Sequence, residues 1–217
     1  MPPCRSGIAR AVTWAVLVST ICGPAFGRDV KLTIYPQKVP AEAGKYSLLP
    51  AATSLTDGDA VPLYEKAIKA VPVAKDRNQG SKWLALPLEE FPLEEVQGVL
   101  EAGMEGLRGA ARAVRCRDCN WPRLTDPAAL TASVAEFRRL RVVVQLWAHY
   151  EIAQGSPEGA ILALRTGFGM ARQIGQGPSL LHLMVGVGAA GSMCREVEQL
   201  VQLEDAPNLY AALAALP

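Results

Sequence analysis

The 217-residue sequence has almost no excess charge of either sign, few aromatic residues and no long uninterrupted hydrophobic run. Lysine and arginine total 22 against 21 acidic residues, which argues against a general nucleic-acid binder, because such a protein needs a basic surface to displace counterions. No stretch of about 20 apolar residues occurs, so a multi-pass membrane protein is ruled out. Half of the residues are hydrophobic, which is ample for the buried core of one domain.

Residues 1–27 have the layout of a secretory signal peptide. Arg5 and Arg10 supply a positive start, an apolar run of 12 residues covers 11–22, and residues 25–27 place small side chains at the −3 and −1 positions. The run is too short to span a bilayer, and an uncleaved anchor is the alternative. We therefore predict an exported protein, periplasmic or extracellular, with no membrane span after signal removal.

The remaining sequence predicts an all-α fold behind a short extended piece. Residues 28–58 hold a strand pattern at 30–34 and several prolines, and we interpret them as an extended N-terminal segment. Residues 59–217 form the predicted helical domain. Capping residues, prolines and apolar spacings predict helices over 60–71, 93–114, 127–154, 157–174, 178–203 and 208–216.

The most strongly specified local structure is an antiparallel helical hairpin over residues 134–174. Gly155 is expected to stop its first helix in the left-handed conformation, and Ser156 is expected to cap the second. The small residues of this hairpin have tetratricopeptide-like offsets, and an irregular helical bundle is the alternative. The helix over 178–203 is apolar nearly all round, which predicts that it is buried. The predicted hairpin seam consists of Phe137, Leu140, Val144 and Trp147 facing Ile161, Leu164, Phe168 and Ala171.

Cys116 and Cys119 form the one cysteine pair with a recognisable spacing. Removal of residues 1–27 leaves these two cysteines and Cys194. Thioredoxin-like chemistry would need the pair at the start of a helix after a strand, whereas here the pair follows a predicted helix. We predict a disulfide within the pair, with inert thiols and a redox or metal site as the alternatives.

The other candidate residues are histidines and arginines on the predicted helices. His149 and His182 lack a metal-binding spacing, so we interpret them as core or boundary residues, with a catalytic base as the alternative. Arg138, Arg139 and Arg141 could form a weak anion-binding strip, and a solvated face with ordinary ion pairs is the alternative. No catalytic residue and no metal ligand is predicted.

Four short blocks carry a resemblance to a family of exported helical proteins of unknown function from planctomycete bacteria. They are residues 57–64, 119–121, 174–180 and 206–210, which resemble that family in order and spacing. The resemblance implies an exported helical protein and carries no activity. The chain departs from the family pattern at Tyr210-Ala211-Ala212-Leu213, where relatives have Tyr-Trp-Ala-Leu. It also stops at Pro217, where relatives continue, which implies a C-terminally truncated version of a longer protein.

These observations together predict an exported, non-catalytic interaction or scaffold module. We expect no cofactor and no nucleic acid, and an unidentified protein is the possible partner. Two other classes stay open: a thiol-redox or metal-binding protein that uses Cys116 and Cys119, and an enzyme of unrecognised type that uses the histidines.

The signal peptide generates the first prediction. The exported protein should begin near Arg28, because Ala25 and Gly27 supply the small residues at −3 and −1 of a cleavage site. N-terminal sequencing of exported material measures this directly. Full-length protein confined to the cytoplasm would contradict the prediction.

Overall fold

The structure, a computed structural model, describes residues 45–73, 76 and 78–216, all of which belong to one unit of the chain, Ile34–Pro217. The described chain is mostly helical, which confirms the predicted all-α class. The expected signal peptide and the strand pattern at 30–34 lie outside the described residues. The described helices are α1 (Val61–Ala70), α2 (Gln79–Trp83), α3 (Leu93–Ala102), α4 (Met104–Ala113), α5 (Pro127–Ala153), α6 (Pro157–Gly175), α7 (Leu180–Leu200) and α8 (Tyr210–Ala214).

Local signals set the ends of the three long helices. The Asp126 carboxylate accepts hydrogen bonds from two amides in the first turn of α5, as the sequence predicts. Gly155 follows α5 with a φ of +66°, the left-handed conformation that glycine adopts without strain. The predicted cap at Ser156 is wrong, because its side chain makes no capping hydrogen bond to α6. Ser179 does cap α7, where its hydroxyl accepts from the amide of His182.

The predicted helix over 93–114 is two helices. The chain breaks between α3 and α4 at Gly103, where φ is −95° and ψ is 3°. Glycine is the weakest helix former after proline, so the break falls where helical propensity is lowest. Within α4, a Cβ on Gly106 would lie 2.8 Å from the carbonyl oxygen of Ala67 in α1. A glycine at this position therefore allows the two backbones to pack in close contact.

Two short strands connect distant parts of the chain. β1 (Thr56–Asp59) pairs in parallel with β2 (Cys116–Asp118). Neither of these strands, and no pairing between the two segments, was predicted from the sequence. The Asp59 carboxylate accepts hydrogen bonds from the amides of Val61 and Asn120. The start of α1 is thereby attached to the loop that follows β2.

The apolar side chains form two cores that meet along α5. The first core joins α1, α3, α4 and the first part of α5, and Tyr64 and Phe137 are its largest fully buried members. The second core joins the end of α5 with α6, α7 and α8, and it also buries Leu48 from the N-terminal segment. All members of the predicted hairpin seam except the half-buried Trp147 are buried, but its two sides are divided between the cores. Phe137 lies in the first core, whereas Ile161 lies in the second.

Helix α7 differs most from its predicted environment. We predicted that it is buried all round, yet one side is exposed. Its buried side contacts α6 so closely that a Cβ on Gly186 would lie 2.7 Å from the Cα of Gly175. A Cβ on Gly191, by contrast, would meet no atom within 4 Å. These two glycines of one helix therefore mark its buried and its exposed side.

The orientation of α7 generates a matched pair of substitutions. Gly186→Ala should lower the free energy of unfolding by about 1–3 kcal/mol, because the new methyl group collides with backbone atoms of α6. Gly191→Ala should raise it by about 0.5–1 kcal/mol, because alanine favours the helix and the space is open. Urea unfolding at low protein concentration measures both. A neutral Gly186→Ala beside a destabilising Gly191→Ala would mean that α7 is rotated.

Candidate interaction face

A buried polar network connects α5 to α7. Arg141, Gln145 and His149 recur every four residues along one side of α5, and Ser192 and Glu196 lie one turn apart on α7. The Gln145 amide donates to one carboxyl oxygen of Glu196 at 2.8 Å, and His149 Nδ1 lies 2.7 Å from the other. The Arg141 guanidinium donates to the Ser192 hydroxyl. The hydrogen bonds thus run along both helices and fix their relative rotation.

The centre of this network is enclosed. The side chains of His149 and Glu196 are each 4% exposed. The Phe91 ring packs against the His149 ring with centroids 4.5 Å apart. The Nε2 atom of His149 is buried and has no hydrogen-bond partner among the described residues. Burial of Arg141, and then the neighbouring cations Arg195 and Arg138, lower the pKa of its guanidinium.

Helix α7 turns Ser192 and Glu196 inward, and its first two turns present large apolar side chains to solvent. Leu180 is 71% exposed, Leu183 50%, Met184 62% and Val187 66%. Four large apolar side chains on two turns of one helix form a continuous patch, which is informative where a single exposed leucine would not be. We name this surface the α7 face. It comprises the exposed residues Leu180, Leu183, Met184, Val187, Gly188, Gly191, Cys194, Arg195, Glu198 and Val201.

The α7 face has the spacing of a helix-packing seam. Positions 180, 184, 187, 191, 194, 198 and 201 alternate between steps of four and three residues. This is the 3.5-residue repeat with which one helix packs along another. A Cβ on Gly188 or on Gly191 would meet nothing within 4 Å, so the middle of the seam is a shallow notch. The seam is therefore shaped for an opposing helix.

The cysteine pair lies away from this face. Cys116, Cys119 and Cys194 are all free thiols in the structure, and a disulfide between Cys116 and Cys119 stays a prediction. Cys116 is held in β2, and its thiol lies 3.9 Å from the carbonyl oxygen of Arg112. Burial, together with the nearby Asp59 carboxylate, raises the pKa of Cys119 to about 12. A thiol with so little thiolate is a poor redox nucleophile.

The two histidines have separate structural surroundings. His182 is buried at the start of α7, where its Nδ1 lies 2.7 Å from the Ser179 hydroxyl and its ring is 6.0 Å from that of Trp121. Burial lowers the pKa of His182. Among the described residues, no hydrogen bond joins His149, His182, Cys116 or Cys119 to another of the four, and no group of three or more candidate ligands could hold a metal ion.

The three arginines of the predicted strip are divided between different surroundings. Arg139 donates to the carbonyl oxygen of Ile68 at 2.9 Å, in the last turn of α1. Arg141 belongs to the network with α7, while Arg138 is exposed. Sequence analysis missed Gln145, Ser192 and Glu196, the other members of that network. The four-residue recurrence of polar side chains along α5 is the signal that could have indicated them.

No protein-family model, no curated protein and no solved structure matches the chain. Within the described part of the chain, no helix has both the length and the hydrophobicity needed to cross a membrane. The function must therefore be argued from the geometry of this chain.

The thiols generate a prediction of unequal reactivity. In native protein pretreated with reductant, iodoacetamide should label the exposed Cys194 well before Cys119. At pH 8, a pKa of about 12 leaves Cys119 with about a thousandfold less thiolate than an unperturbed cysteine has. Peptide mass spectrometry over a time course measures the extent of labelling at each cysteine.

The same measurement tests the sequence-based disulfide. After denaturation without reductant, all three cysteines should be labelled if they are free thiols, as they are in the structure. Labelling confined to Cys194 would instead mean that Cys116 and Cys119 are bonded to each other.

Proposed function

We propose that this protein is an exported, non-catalytic interaction module that self-associates through the α7 face. The observation that carries the proposal is the run of exposed apolar side chains at helix-packing spacing on α7. Export is supported by the layout of residues 1–27. Catalysis through Cys119 is disfavoured, because burial raises the pKa of its thiol.

The charges of the α7 face favour a second copy of this chain as the partner. Arg195 and Glu198 are both exposed and lie one turn apart at the C-terminal end of the face. The face therefore carries one charge of each sign, so two copies related by a two-fold axis can pair the cation of one with the anion of the other. A partner of strong single-sign charge would gain nothing from this arrangement.

The apolar area of the face fits a dimer of moderate affinity. Complete burial of one Leu, Met or Val side chain contributes about 1.5–3 kcal/mol. Two copies bring eight such side chains, each half to three-quarters exposed in the free chain. Their burial would contribute roughly 7–14 kcal/mol, which is of the order of the roughly 4–15 kcal/mol that association costs. At the favourable end of these ranges, a gain of about 14 kcal/mol against a cost of about 6 kcal/mol leaves about 8 kcal/mol, which corresponds to a dissociation constant in the micromolar range.

Met184→Lys tests the proposal, and Met104→Lys is its matched control. Met184 lies among the four exposed apolar side chains of the α7 face, whereas Met104 is a partly exposed methionine at the start of α4. A charge at position 184 would have to be desolvated in the dimer, so the dissociation constant should rise at least about tenfold. Sedimentation velocity over a concentration series measures the constant. The Met104→Lys protein should behave as the unsubstituted protein.

Cys194 gives an independent readout, because it lies on the same face. Its rate of alkylation should fall as the concentration of the unsubstituted protein rises, and this dependence should disappear in Met184→Lys. A protein that stays monomeric at 100 µM, or that dimerises equally well with Met184→Lys, would overturn self-association through α7.

A further inference from the structure

A second unassigned feature is a cavity between α2 and α5, and none of its lining residues belongs to the α7 face. Its volume is about 540 Å³, within the range typical of small-molecule sites. Helix α2 stays close to α5 because Gly80 has no side chain: a Cβ there would lie 2.7 Å from Val142. The apolar wall consists of Trp83, Val99, Val142, Val143 and Leu146.

One arginine at this cavity has no ion-pair partner among the described residues. Arg139 lines the cavity, and its guanidinium donates once, to the carbonyl oxygen of Ile68. Its Nε–H is buried and has no acceptor in the described part of the chain. No acidic side chain of the described residues lies within ion-pair distance of Arg139. The Nε atom is shielded from solvent, so any contact of the guanidinium with a ligand would be made by its terminal nitrogens.

The charges around the cavity favour an anion. Asp76 is paired with Lys82, with 2.7 Å between carboxylate and ammonium. The other charged side chains that line the cavity are Arg138, Arg139 and the exposed Glu136. The balance of the remaining charges is positive, beside an apolar wall.

We propose that this cavity binds a small amphiphilic carboxylate, with its apolar body against Trp83 and Val142 and its carboxylate on the Arg139 guanidinium. A planar guanidinium matches a carboxylate in geometry and charge. The apolar body is held by burial, as in most small-molecule sites.

Three probes that share one tail separate the contribution of charge from that of the apolar wall: decanoate, decanol and decylammonium, each below its aggregation limit. Isothermal titration calorimetry should rank decanoate first and decylammonium last. Arg139→Gln should weaken decanoate binding about tenfold, the loss expected for one charge-assisted pair, and leave decanol binding unchanged. The exposed Arg112→Gln, on α4, is the matched control and should change neither affinity.

A second variant keeps the test independent of the Arg139 contact with α1. Ala135 is exposed and lines the cavity, so Ala135→Phe should obstruct it and weaken both decanoate and decanol. Equal affinity for all three probes would overturn the proposal. So would decanoate binding that survives Ala135→Phe but is lost in Met184→Lys, because the probe would then lie on the α7 face.

Discussion

The arrangement of the helices depends on the buried hydrogen bonds between α5 and α7. Glu196 is a carboxyl group in a core position, and His149 and Gln145 satisfy its two oxygens. Rotating α7 about its axis would expose Glu196 and leave the α5 side chains buried without partners. Each such orphaned group costs about 1–3 kcal/mol, and more where it is charged. The network therefore selects one rotation of α7, even though another rotation would bury the exposed side chains of Leu180 and Leu183.

The same selection explains why apolar side chains remain in solvent. A helix normally turns its apolar stripe to the core. In α7 the inward side holds Ser192 and Glu196 together with Val185 and Met193, and the outward side holds Leu183 and Met184. Close backbone contact at Gly186 reinforces this rotation, because no other residue type fits against α6 there. The exposed patch follows from constraints on the buried side.

Features set by neighbouring residues could be predicted from the sequence, whereas features set by contacts between distant residues could not. The cap at Asp126 and the left-handed stop at Gly155 are local, and both were predictable from adjacent residues. The pairing of β1 with β2 was not, because neither segment has a strand-like pattern and the partners lie about sixty residues apart. The rotation of α7 was not predictable either. Its apolar composition indicated burial. Which side of α7 faces the core is decided by contacts with other helices, such as that of Glu196 with His149 on α5.

A single side chain in the first core has a consequence for the chemical ageing of the protein. Gln173 accepts a hydrogen bond from the Tyr64 hydroxyl through Oε1, and its amide nitrogen donates to the carbonyl oxygens of Ala113 and Cys116. Its backbone carbonyl also accepts from the Trp121 indole. Hydrolysis of this amide to a carboxylate would change one atom and replace a donor by an acceptor. The new carboxyl group would face two carbonyl oxygens in a buried site, so deamidation at this position would weaken the contacts of α1, α4 and the β2 loop with α6.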